Sequence, residues 1–144
     1  MRQMSIQRVE HELRGLRVTQ AFRTHGHRLR FDFSNRGDNA ANAPDYSLIV
    51  QGAAWKIKQR GQTVATHHAW QRIIDQTLPR FAGAQIKHAS LGTSHTKIVF
   101  DKALQLELHA AANDHAGPSA HVTWDLLRNN QAILSLGTRP RAAG

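Results

Sequence analysis

Histidine has the widest chemical scope of any residue type in this chain. There are ten histidines and no cysteine, so a transition-metal site has only imidazole and carboxylate to draw on. Three arrangements stand out: His25-X-His27, His67-His68, and His11 between Glu10 and Glu12. On a strand, His25 and His27 share one face, whereas His67 and His68 point apart. None of these spacings matches an HExxH helix or a paired His/Cys module, and a zinc site needs three or four ligands at about 2.0–2.2 Å. The histidines are expected in exposed loops and helices, with no metal and no cofactor.

Covalent and acid–base catalysis find little support. There is no GxSxG turn, no cysteine nucleophile and no Gly-rich phosphate loop before a helix. The acids are few and scattered. Asp32 and Asp101 fall at corresponding strand ends, where a turn-starting aspartate is the ordinary role. The expectation is a protein that is not an enzyme.

The basic residues point to binding. Lysine and arginine number 19 against 10 acids, a net charge of +9 with a pI near 11.3, which suits nucleic acid or an acidic protein surface. Arg17, Arg23, Arg28 and Arg30 sit on two candidate hairpin strands, opposite the apolar residues Val18, Phe22, Leu29, Phe31 and Phe33. They are expected to form one positive sheet surface, extended by Lys56, Lys58 and Arg60. The exposed aromatics of single-strand binders are not interleaved with them, and the signatures of the common RNA-binding modules are missing.

The elements that must carry these residues follow from periodicity. Ile6, Val9 and Leu13 form one helical face behind a capping Ser5, and Trp70, Ile73, Ile74 and Leu78 form a second stripe that Pro79 ends. Period-two alternation predicts strands around 16–22, 29–33, 46–50, 54–58, 63–66, 84–90, 96–101, 104–109, 122–126 and 132–136, with long loops near 35–45 and 111–120.

The chain also repeats itself. Gly15 and Val18 are answered by Gly83 and Ile86, Trp55-Lys56-Ile57 by Trp124-Asp125-Leu126, and Val64 by Ile133. The expected fold is α+β: a single domain over 1–144 made of two pseudo-symmetric half-repeats, about 5–66 and 67–136, with a flexible tail at 137–144. Each half would be a helix followed by four to five mostly antiparallel strands, together a sandwich or open barrel sharing one core. No signal-like or membrane-length apolar run is present, which predicts a cytoplasmic protein.

The twice-given pattern Leu13-Arg14-Gly15-Leu16-Arg17-Val18 with Trp55-Lys56-Ile57, and Phe81-Ala82-Gly83-Ala84-Gln85-Ile86 with Trp124-Asp125-Leu126, resembles a group of uncharacterised small β-rich bacterial proteins. These in turn are similar to immunity proteins encoded beside bacterial toxins. The resemblance spans about residues 13–136 and implies no catalytic residue. It implies a non-enzymatic protein-binding module that neutralises a cognate toxin. This chain departs from the pattern in its basic charge, so that toxin, or another acidic protein in its place, should present an acidic or neutral face. The alternative expectation is a basic nucleic-acid-binding protein using the Arg-rich hairpin surface. The oligomeric state is not encoded in any of these features.

Overall fold

The computed structural model describes residues 5–24, 28–35, 44–51, 54–109 and 122–138. The His25-X-His27 pair, most of the 35–45 loop, the whole 111–120 loop and residues 139–144 of the predicted tail lie outside them. The strand β10 described below runs to Thr138, into the first two positions assigned to that tail.

A helix α1 (Ile6–Leu13) opens the chain, and the Ser5 side chain accepts a hydrogen bond from Arg8 N at 3.3 Å as its cap. Five strands follow: β1 (Arg17–Arg23), β2 (Leu29–Ser34), β3 (Tyr46–Gln51), β4 (Ala54–Gln59) and β5 (Gln62–Thr66). A second helix α2 (Gln71–Thr77) runs into a 3-10 turn over Leu78–Phe81, and then come β6 (Ile86–Ser90), β7 (His95–Phe100), β8 (Leu104–His109), β9 (Val122–Arg128) and β10 (Gln131–Thr138). Pro79 does not stop the chain's helical path. It sits in the first positions of the 3-10 turn, where its missing N–H is not needed.

The strands make two five-stranded antiparallel sheets, in the orders β1-β2-β3-β9-β10 and β5-β4-β8-β7-β6. This corrects the α+β expectation and its helix-plus-strand half-repeats. The described chain is mostly strand with two short helices, and neither half keeps its own strands. The β4–β5 hairpin leaves β3 to pair with β8, while β9–β10 pairs with β3. The halves are exchanged across the fold because a hairpin's partner is fixed by burial, not by position in the chain. The sheets meet along one edge. Gly15 N and Ile86 N donate to Ile86 O and Leu16 O at 2.9 and 2.8 Å, and Val18 N donates to Ala84 O at 2.8 Å.

All four edge strands carry a bulge. Thr19 in β1, Val64 in β5, Lys87 in β6 and Ile133 in β10 are each the extra residue against a regular partner. Bulges twist an edge and blunt it against pairing with another chain.

One core fills the space between the sheets. Phe31 and Phe33 from β2, Phe100 from β7 and Phe81 from the 3-10 turn form a circuit of rings with centroids 5.0–6.4 Å apart. Trp55 and Trp124 are both buried beside them. Among the described residues, no helix is long and apolar enough to cross a membrane.

Candidate functional site

The outer face of the β5-β4-β8-β7-β6 sheet brings Lys56, Lys58, Lys97, His95, Glu107 and His109 together. Its geometry follows from alternation on three strands. Trp55 and Ile57 on β4, Thr96, Ile98 and Phe100 on β7, and Leu104, Leu106 and Leu108 on β8 point inward and are buried. The residues between them, Lys56, Lys58, Lys97, Gln105, Glu107 and His109, therefore face out.

Register then sets the rows. Glu107, on the central strand β8, stands directly between Lys56 on β4 and Lys97 on β7. One row along, His109 stands between Ala54 and His95. Lys58 Nζ reaches Glu107 Oε2 at 3.2 Å, and the His95 and His109 rings stack at 4.5 Å, with their Nε2 atoms 3.9 and 3.8 Å from Glu107 Oε1. Burial alone would raise the Glu107 pKa. The Lys58 hydrogen bond and the charges of Lys58, Lys97 and Lys56 outweigh it, and the carboxyl is held below its ordinary value. The Lys56–Glu107–Lys97 row is a charge checkerboard with a positive excess.

The predicted basic surface does not exist as one face. Arg17, Arg23 and Arg30 lie on β1 and β2 of one sheet, with Arg28 exposed just before β2, whereas Lys56 and Lys58 lie on the other sheet and Arg60 in its β4–β5 turn. Arg30 faces out but pairs with Asp32 at 2.9 Å. Arg17 donates to Gly83 O at 3.2 Å. Arg23 is turned round. The bulge at Thr19 inverts the alternation, so Arg23 sits opposite the buried Leu29 and Phe22 opposite Arg30. Arg23 then makes a two-pronged pair with Asp75 of α2 at 2.9 and 3.0 Å, which holds the Asp75 carboxyl below its usual range. Of the seven predicted residues, Lys56 and Lys58 are the two brought together beside further titratable groups.

The remaining predicted features resolve individually. His67 and His68 were expected to point apart on a strand. They follow β5 in a turn, and their rings lie 3.9 Å apart. Asp32 is buried mid-strand and accepts from Ser47 Oγ at 2.7 Å, and Asp101 Oδ1 accepts from Gln85 N at 2.9 Å. Trp70, assigned to the apolar helix stripe, is the N-cap of α2 and is 80% exposed. Ser94-His95-Thr96-Lys97 has the S-x-x-K form, which was not among the predicted features, but it leads into β7 rather than a helix, so its serine and lysine are not brought onto one helical face.

A recess of about 290 Å³ lies where α1 meets β3 and the β9–β10 turn, lined by Glu12, Asp45, Tyr46 and Arg128 among others. The Tyr46 hydroxyl donates to Glu12. Burial and this bond push the Tyr46 pKa up, while the Tyr46 bond and the Arg8 and Arg128 charges hold Glu12 down despite its burial. The phenol stays protonated and the carboxylate ionised across the neutral range, so neither is set to exchange a proton there.

Comparison with known proteins gives no match to a family model, to a curated protein or to a solved structure.

Sequence reasoning missed the histidine–glutamate cluster. Glu107 and His109 share the polar side of a strand the alternation already marks, and that signal was legible. His95 is brought to them only by the β7–β8 register.

Proposed function

We propose that this protein is a non-catalytic binding module that docks an acidic protein surface on the outer face of the β5-β4-β8-β7-β6 sheet. The observation that carries this is the Lys56–Glu107–Lys97 row, with Lys58 diagonal to it. A carboxylate fixed between cations suits a partner of alternating charge, whose acids meet the lysines and whose cation meets Glu107. It suits a phosphate backbone less, because Glu107 repels phosphate. This face also offers no exposed Phe, Tyr or Trp on which a base would stack, since the exposed large aromatics among the described residues are Phe22 and Trp70, neither of them on it. The resemblance of the repeated motifs to immunity proteins supports a bacterial toxin as the partner, one with an acidic or neutral face. The self-satisfied Glu12–Tyr46 recess supports a non-enzymatic role.

The test is affinity purification from the native host of the wild-type chain and of Lys56→Glu/Lys58→Glu/Lys97→Glu, each at low and high salt. The expected result is one acidic protein retained by the wild type, released by salt and lost from the triple variant. Retention of nucleic acid, abolished by nuclease, would install the alternative. A partner held equally by both chains would move the interface elsewhere.

A further inference from the structure

The geometry points to a three-ligand site for a divalent transition-metal ion of the zinc class, formed by His95, Glu107 and His109 on the outer face of the β5-β4-β8-β7-β6 sheet. Two neighbouring strands build it. His95 on β7 is the direct cross-strand partner of His109 on β8, and Glu107 is two residues before His109, on the same face. Their ligand atoms converge. Each imidazole Nε2 lies 3.8–3.9 Å from Glu107 Oε1, and one ligand atom from each residue falls within 4.8 Å of the others. Ligands of a tetrahedral ion with bonds of about 2.0–2.2 Å stand roughly 3.3–3.6 Å apart. The site closes when the two histidine rings, stacked with 23° between their planes, turn out of the stack so that both Nε2 atoms face one ion beside Glu107 Oε1, and side chains 46% and 48% exposed have room for that turn.

The carboxylate is already oriented for this. Lys58 holds Oε2 at 3.2 Å, which leaves Oε1 toward the histidines. A hydrogen-bonded outer partner of this kind fixes a ligating group and is part of most metal centres. Two imidazoles and one carboxylate select zinc, cobalt, nickel or copper over magnesium and calcium, which prefer all-oxygen shells. Three protein ligands also leave a coordination position open.

Lys56, Lys58 and Lys97 set the strength of the site. Their charges oppose a cation, so binding is weaker than in a closed structural zinc centre and tightens as salt screens them. The same lysines favour an anion, such as a carboxylate, at the open position. This inference does not depend on the protein-docking reading, because the titration below contains no partner.

Zinc chloride is titrated into the full-length protein by calorimetry, and cobalt binding is followed by its visible spectrum. Wild type, Glu107→Gln and His95→Ala/His109→Ala are compared, with circular dichroism to confirm that each is folded. The wild type is expected to take up one zinc at this site, with the Hε1 signals of His95 and His109 shifting in a proton NMR spectrum. Affinity should fall at least tenfold in Glu107→Gln, and the site should vanish in the double variant. Magnesium should produce no shift. An absence of zinc uptake by the wild type, or uptake unchanged in the double variant, would overturn the assignment, the latter by placing the metal on other histidines.

Discussion

Trp124 on β9 donates its indole N–H to the Thr96 hydroxyl on β7 at 2.8 Å, a buried hydrogen bond that joins the two sheets through the core. Thr96 is fully buried and also exchanges hydrogen bonds of 3.2 Å with the Gly92 main chain in the β6–β7 turn. Among the described residues no buried side-chain nitrogen or oxygen lacks a partner. Thr96→Val keeps the shape and removes the acceptor, leaving the Trp124 N–H unsatisfied. The expected loss is about 1–3 kcal/mol, measured by urea unfolding followed by tryptophan fluorescence. Thr96→Ser, which keeps the hydroxyl, should lose less. A Thr96→Val variant as stable as the wild type would show that the buried hydroxyl contributes nothing to stability.

The two core tryptophans belong to different sheets. Trp55 is 2% exposed on β4 and Trp124 is 1% exposed on β9. Because each sheet takes strands from both halves of the chain, no part of the fold can lose one tryptophan and leave the rest intact. Replacing either by alanine is expected to cost about 3–5 kcal/mol through lost burial and a residual cavity. Both variants should melt in a single transition by far-ultraviolet circular dichroism. Two transitions in either would mean that the sheets unfold separately.

Alternation placed the strands well, because Leu29, Phe31 and Phe33, or Leu104, Leu106 and Leu108, have one residue type for each face. What alternation does not hold is pairing between distant strands. The β4–β5 hairpin follows β3 in the chain yet pairs with β8, and no residue in it announces the exchange. The α+β expectation gave two amphipathic stripes the weight of full layers, although α1 has 8 residues and α2 has 7. Arg23 was misplaced by one extra residue, since Thr19 looks like any strand residue until its register against Asp32 and Phe33 is known. Trp70 satisfies the helical spacing but has extended backbone angles as the cap, so the 3.6-residue period no longer governs its direction. The candidate metal site was half legible for the same reason: Glu107 and His109 share a strand, while His95 arrives by register.

The β7–β8 turn carries a local conflict. Lys102 and Ala103 both have left-handed backbone, with φ of 62° and 58°. The corresponding turn positions elsewhere use residues suited to that region, Arg60-Gly61 in part and Asn129-Asn130 fully. A left-handed alanine is disfavoured by its Cβ, and glycine is not. Ala103→Gly is therefore expected to raise stability by about 1 kcal/mol, offset slightly by the greater freedom of the unfolded chain. Thermal unfolding checks it. A lowered midpoint would show that the Cβ makes a contact worth more than the strain. This turn lies at the far end of β8 from His109, so zinc uptake should be unchanged.

Glu107 provides the pH test. Its ordinary pKa is near 4.5, and the lysines around it lower that value in the folded protein despite partial burial. A carboxyl whose folded pKa is depressed contributes stability that is fully present above its unfolded pKa. That contribution is lost as pH falls through the folded value. The carboxylate is partly accessible and its ion pairs are surface pairs, so the contribution is below about 1 kcal/mol. Urea unfolding of wild type and Glu107→Gln at pH 7, 5, 4 and 3, without metal, isolates it, since the other carboxyls are common to both chains. The wild type should lead at pH 7 and 5, and the margin should shrink as pH falls below about 4.5 and through the lowered folded value. A margin independent of pH would mean that Glu107 acts through packing or hydrogen bonding and not through its charge. In that case the charge row on which the docking face is argued would lose its centre.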